Sequence, residues 1–246
     1  MNKGTNSSPL AAFTIFSRMK QAYLLFLEGS GAYCSAAVSE GDRLLSLEEA
    51  DAPFAHTEQA TLLVQAAVQR AGIGLNALSA VVVSDGPGSY TSLRVSTSTA
   101  KGICYALHKP LIALPSLYTL AYGMQQARPH CSDCLLAPMI DARRQDVYLA
   151  WYTHDLASLK EPELVTLRPA LTEMARGQTV LVGGSGEKKA ADLLGNAVHP
   201  TGVRASARHM VGPGWQHFGQ NRFADLATYA PRYITSPNIT VPRRKL

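Results

Sequence analysis

Gly86-Pro87-Gly88-Ser89-Tyr90-Thr91 follows the apolar run Val81–Val83 and precedes a helix-compatible stretch, the setting in which backbone N–H groups can hold an anion. Gly86 and Gly88 permit a sharp turn and close backbone approach, and Pro87 fixes one φ angle. A phosphate-binding P-loop is excluded, because Thr91 stands five residues after Gly86 and no Gly-Lys-Ser/Thr follows. A dinucleotide fingerprint is also incomplete, since its third glycine would again be Thr91. The bare residues therefore describe a strand-to-helix turn, with Ser89 or Thr91 as helix cap. Ser89 as a nucleophile lacks a base and an oxyanion hole nearby in the sequence. Of the four cysteines, Cys34 and Cys104 lie in apolar strand and helix patterns and read as packed thiols. Cys131-Ser-Asp-Cys134 has only His130 close by, short of a zinc set, and reads as a loop with two thiols ahead of a redox pair. His108, His130, His154, His199, His209 and His217 stand singly, with no ligand pair at helical spacing.

These residues must be positioned by alternating strands and helices. Tyr23–Leu27, Cys34–Val38 and Arg43–Glu48 read as three strands of an antiparallel meander, turned at Gly29/Gly31 and Glu40-Gly41-Asp42. Glu58–Ala71 has apolar residues at the spacing of one helical face, with Thr57 as N-cap and Gly72 as terminator. A strand at Ala80–Val83, a helix at Thr91–Leu107, a strand at Leu111–Ala113 and a helix at Leu117–Gln126 complete a βββαβαβα plan, that of a ribonuclease-H-like lobe. A looser second copy follows: a hairpin of Cys134–Ile140 and Asp146–Tyr152, then a strand at Glu163–Leu167. After these come a short helix at Ala170–Ala175, a strand at Thr179–Val182, and a helix from Glu187 to Leu194. The expected fold class is α/β, two tandem ribonuclease-H-like lobes of the actin/Hsp70/sugar-kinase (ASKHA) architecture. Residues 1–18 read as an extension without its own fold, with Met19 a possible start. Residues 19–127 form the first lobe, 128–241 the second, degenerate lobe, and 242–246 a basic tail, the lobes parting where Arg128-Pro129-His130 breaks a helix.

The 246 residues are 46% hydrophobic and 17% charged, a composition that suits a globular protein. No apolar run approaches the ~20 residues that cross a bilayer, and Pro9–Phe16 is too short. Of the net charge of +5, three come from Arg243, Arg244 and Lys245, which reads as a solvated tail rather than an RNA-reading surface. Unpaired cysteines fit a cytoplasmic location.

Gly86-Pro87-Gly88-Ser89-Tyr90-Thr91-x-Leu93-Arg94 resembles the Gly-Pro-Gly-Ser-Phe-Thr-Gly-Leu-Arg signature of the TsaB (YeaZ-type) family, with Ser92 at the usual glycine. Leu27-Glu28-Gly29-Ser30 followed by Cys34–Val38 resembles its opening hairpin, with Gly29 at the usual threonine. His56-Thr57-Glu58 and Asp141–Tyr148 resemble two further family segments in the same order. The resemblance runs from Tyr23 to about Tyr152. It implies a non-catalytic subunit of the bacterial machinery that makes threonylcarbamoyladenosine at adenosine 37 of tRNA. That subunit would scaffold a TsaD-like catalytic subunit and a TsaE-like ATPase, and would homodimerise when alone. Direct tRNA contact is left open. The alternatives are a small-molecule kinase or ATPase of the same fold and, more weakly, a peptidase-like protein.

In ATP-gripping members of that architecture, two hairpins and a glycine loop hold the nucleotide. Glu28, Gly29 and Ser30 keep an acid, a glycine and a hydroxyl in a compressed turn. Asp141 keeps the acid of the second hairpin, but Ala142 adds a Cβ and Arg143 and Arg144 fill space. Gly183-Gly184-Ser185-Gly186 resembles the adenosine loop and equally suits a tight strand-to-helix turn. These are the degenerate cleft positions; no catalytic residue, cofactor or metal is expected, and nucleotide at a subunit interface stays open. TsaD holds its metal with two histidines four residues apart, whereas Ala60 stands four residues after His56. The helix Thr91–Leu107 presents a core stripe (Leu93, Ala100, Ile103, Cys104, Leu107) and small residues elsewhere. The resemblance implies that this helix and Glu58–Ala71 form a four-helix seam with a partner. The candidate interface residues are His56, Glu58, Leu63, Ser92, Ser96, Thr99 and Gly102.

Overall fold

Five strands of the first sheet, β1 (Tyr23–Glu28), β2 (Ser35–Glu40), β3 (Arg43–Glu49), β4 (Leu78–Gly86) and β5 (Leu111–Pro115), lie in the order β3-β2-β1-β4-β5. The second sheet comprises β6 (Leu135–Asp141), β7 (Asp146–Thr153), β8 (Ser158–Thr166), β9 (Val180–Gly183) and β10 (His199–Pro200), ordered β8-β7-β6-β9-β10. Each is an antiparallel meander extended by two parallel strands, so the second sheet repeats the first strand for strand. This is the duplicated α/β fold expected above. The computed structural model describes residues 22–235 apart from 32, 51–55, 170–174 and 176, and the backbone alone at 56–58. The extension 1–18, Met19, the tail 242–246 and most of the helix expected at 170–175 lie outside the described residues.

The central strands are apolar on both faces because both faces are covered. Leu25, Leu27, Val81 and Val83 point to α1 (His56–Arg70) and α2 (Tyr90–Leu107). Phe26, Val82, Ile112 and Leu114 meet a 3-10 turn, Ala207–Met210, and helix α5 (Val211–Gly219), with Trp215 buried there. Trp215 Nε1 donates to Ser39 Oγ at 2.8 Å, so its one polar atom is satisfied in the core. On the second sheet, Ala190 of α4 (Glu187–Leu194) joins Val147, Leu149, Trp151 and Val180 on one face. Leu117, Leu120 and Met124 of α3 (Ser116–Ala127) join Leu136, Ile140 and Leu181 on the other.

That packing crosses the expected boundary between 127 and 128. The boundary separates the sheets, but α3, from the first span, packs on the second sheet, and α5, from the second span, packs on the first. Helix α5 escaped the sequence reading because Gly212, Pro213 and Gly214 look like helix breakers. Pro213 sits in the first turn, where its missing N–H is harmless. A Cβ at Gly214 would lie 2.6 Å from the Phe26 ring, so the glycine lets the helix close onto β1. Among the described residues no helix is long and apolar enough to cross a membrane.

Candidate functional site

The turn after β1 is closed from within. Glu28 is 1% exposed; its Oε1 accepts from Ser30 N at 2.6 Å and Ser30 Oγ at 2.5 Å, and its Oε2 has no partner among the described residues. Burial pushes the Glu28 carboxyl above the ordinary range, and the Ser30 hydrogen bonds oppose that shift. Gly29 N donates to Ser84 Oγ at 3.1 Å. Helix α2 lies directly on the turn: a Cβ at Gly29 would collide with Ser96 Oγ, and one at Gly88 would stand 2.5 Å from Ser30 O and 2.7 Å from Ser30 Cα. Ser89 N donates to Ser30 O at 3.0 Å. The Gly86–Gly88 turn thus roofs the first hairpin, and its approach surface is protein backbone.

Three expectations change here. Ser92 and Ser96 are 2% and 0% exposed, because a helix this close to Gly29 and Ser30 needs small residues on its inner face. They belong to the core side of α2 and not to a partner face. Ser89 occupies the N-cap position without a side-chain bond to the helix backbone; its hydroxyl accepts from Ser92 Oγ at 2.8 Å. Cys131 and Cys134 form a disulfide rather than two free thiols, with Cα atoms 5.4 Å apart. Cys34 and Cys104 are buried as expected, and burial pushes their thiols up to about 12 and about 11.

The second hairpin is open. Asp141 is exposed; its Oδ1 accepts from Lys189 Nζ at 2.7 Å and Arg143 N at 2.6 Å, and its own N donates to Ser185 Oγ at 2.9 Å. Arg143 and Arg144 take φ of 76° and 47°, so the turn adopts left-handed backbone without glycine. A Cβ at Gly184 (φ 96°) would collide with Met139 O, and one at Gly183 would lie 2.7 Å from Thr201 Oγ1. Gly184 N donates to Val203 O at 2.7 Å and Gly186 N to Met139 O at 3.1 Å. These N–H groups are committed to carbonyls, so the loop serves packing where a phosphate loop would leave its donors free.

The outer sides of α1 and α2 differ from their inner sides. Ala60 is buried against Cys34 and Ala50, and Leu63 packs partly into the core. Leu62 is 61% exposed and Tyr105 77%. Thr99 is half-buried, and Gly102 is exposed with open space where a Cβ would project. His56 and Glu58 lie on α1, their side chains outside the described residues.

The segment Ala224–Thr235 follows α5 and carries no helix or strand of its own beyond an isolated bridge at Ala224. It crosses the first lobe: Ala224 N donates to Leu111 O at 2.8 Å, and Arg232 N to Asp85 O at 2.7 Å. Tyr229 Oη donates to Asp85 Oδ1 at 3.0 Å, and burial first, then the Asp85 charge, pushes the Tyr229 phenol far up. No periodicity marks such a segment, since long-range backbone and side-chain hydrogen bonds hold it.

A family model described as "TsaD: tRNA N6-adenosine threonylcarbamoyltransferase" matches residues 50–235. A tRNA threonylcarbamoyladenosine biosynthesis protein TsaB of Bacillus subtilis is 39% identical over 84 residues, 34% of this chain and 34% of the relative. The Escherichia coli protein of the same name is 29% identical over 140 residues, 53% of this chain and 58% of the relative. The matched parts thus span from a third to somewhat over half of these relatives. Among solved structures, YeaZ from Pseudomonas aeruginosa superposes with a TM-score of 0.67 at 20% identity, covering 86% of this chain and 99% of that one. That likeness bears on the fold.

Proposed function

The chain belongs to the family of the tRNA N6-adenosine threonylcarbamoyltransferase TsaD, as one of its TsaB-type members, and from that premise we propose that it is a non-catalytic subunit in threonylcarbamoyladenosine biosynthesis on tRNA. In this reading it pairs with a TsaD-like catalytic subunit through the outer sides of α1 and α2, a TsaE-like ATPase joins the pair, and the chain pairs with itself when alone.

The observation that carries the reading is the closure of the first hairpin. Glu28, Gly29 and Ser30 stand where a nucleotide-gripping relative would meet its phosphates, yet Gly88 backbone and Ser96 occupy the approach. This arrangement weighs against the kinase or ATPase alternative.

Gly102→Arg tests the pairing. Gly102 is exposed within a helix with open space around its Cα, so a longer side chain improves helix propensity by about 0.5–1 kcal/mol and leaves the fold intact. At a partner face the same change buries an unpaired charge, costing about 3 kcal/mol or more of association. The expected outcome is an unchanged or slightly higher melting temperature with loss of co-purification of the TsaD-like subunit from the same organism. Retention of both that partner and the self-pair, by light scattering, overturns the seam.

A further inference from the structure

We propose that the surface flanking the segment Ala224–Thr235 binds single-stranded RNA through stacked aromatic rings and arginines; this deepens the tRNA reading above and rests on it. The segment is tied down along its length. Lys101 Nζ donates to Tyr229 O at 2.9 Å, and Tyr148 Oη and Thr235 Oγ1 share a hydrogen bond of 2.9 Å. It separates two open depressions of about 730 and 350 Å³, which share Tyr229 and Ala230 in their walls.

On one side, Arg94 lies over the Tyr90 ring with 5.3 Å between guanidinium carbon and centroid, and the Tyr90 and Tyr233 rings are 4.6 Å apart. On the other, Arg222 and Phe223 stand with Arg232, whose side chain is 64% exposed; Phe223 itself is 41% exposed. The carboxylates beside these groups are held in place. Asp85 accepts from Tyr229 and faces Arg232 Nε at 3.6 Å, and Asp225 accepts from the N–H groups of Ala227 and Thr228. Arg94, Lys101, Arg222 and Arg232 against Asp85 and Asp225 leave two positive charges in excess.

Exposed rings with cations beside them on two sides of a rigid ridge match the needs of an unpaired polynucleotide, whose bases stack while its phosphates meet the arginines. Both depressions are open, which suits a strand running across them better than an enclosed small molecule. Residues 90–101 and 217–233 are remote in the chain, so their conjunction exists only in the fold.

The phosphate could equally come from a free nucleotide, and the test separates the two. The probe is a fluorescently labelled single-stranded RNA, titrated onto the full chain, alone and with the TsaD-like subunit, at several salt concentrations. Arg222→Glu is expected to weaken binding about tenfold near 0.1 M salt and to lower the salt slope by about one. Phe223→Ala is expected to weaken it about tenfold with the slope unchanged. Circular dichroism checks folding, and Arg94→Gln replaces any variant that fails it. The inference is overturned if the folded variants bind as wild type does, if wild type shows no salt-dependent binding in either form, or if adenosine monophosphate binds as tightly as the oligonucleotide. Capture of the TsaD-like subunit is scored separately: its failure strikes the proposed function, whereas capture with RNA binding unchanged in the variants strikes this inference alone.

Discussion

In the first lobe the turn after β1 is roofed by the helix that follows the fourth strand; in the second, the equivalent helix reaches the equivalent turn, among the described residues, with the long side chain of Lys189. Ser96 of α2 sits against Gly29, and Gly88 backbone against Ser30. Lys189 of α4 spans to Asp141 by a single ion pair. Topology places a turn beneath a helix in both lobes, and residue size then decides whether that place is core or cleft. Small residues bring the backbones together and bury an acid; a lysine arm holds them apart and leaves the acid wet. The same duplicated scaffold therefore keeps one sealed turn and one open turn.

Bulk at the sealed turn should give the largest effect. Gly88→Ala puts a Cβ against Ser30 backbone, which cannot rotate away as a side chain would. Overpacking of this kind costs about 3 kcal/mol, roughly 6–12 °C of melting temperature in a chain of this size. A thermal melt within 2 °C of wild type would mean that the roof is loose and that the contrast between the two turns is false.

A second effect follows from the acid under the roof. The Glu28 carboxyl titrates above its ordinary 4.5, so between that value and its raised one the folded state keeps a proton that the unfolded chain has lost. Stability therefore falls as pH rises through this window, by at most about 1.4 kcal/mol per pH unit, and is level above it. Glu28→Gln should abolish this slope, matching wild type near pH 4.5 and melting higher than wild type at pH 8. Parallel melting-temperature profiles for the two proteins would show that Glu28 is not held as a neutral acid.

Much of the element order was legible because the central strands β1, β4, β6 and β9 carry continuous apolar runs, and because α1, α2 and α3 carry apolar residues at helical spacing. The strand-to-helix turn at Gly184–Gly186, between β9 and α4, is legible for the same reason, since its glycines follow an apolar run. What stayed hidden depends on partners remote in sequence. Ser92 and Ser96 look like surface residues until Gly29 is seen beneath them. Helix α5 reads as a glycine-proline loop until the Phe26 ring explains Gly214. Strand β8 begins at Ser158, earlier than its apolar residues suggest, because it is an edge strand whose exposed half is set by pairing with β7. At the candidate site, the acid, glycine and hydroxyl of Glu28, Gly29 and Ser30 are legible in the sequence, whereas the filling of the first hairpin by Ser96 and the Gly88 backbone is not.

The smallest effect should come from the open turn. Asp141 and Lys189 are 39% and 23% exposed at their side chains, so water and salt screen their attraction. Asp141→Ala removes that pair and the bond from Arg143 N, for a loss of about 0.5–1 kcal/mol. Lys189→Ala should cost a similar amount, and the double variant little more than either, since one contact is removed once. In about 1 M salt, where the screening length falls to roughly 3 Å, the ion-pair part of the difference should shrink toward zero. Chemical denaturation with urea, which adds no ionic strength, is the suitable measurement. If Asp141→Ala costs as much as Gly88→Ala, the second turn is as much a part of the core as the first, and the division into a sealed and an open hairpin fails.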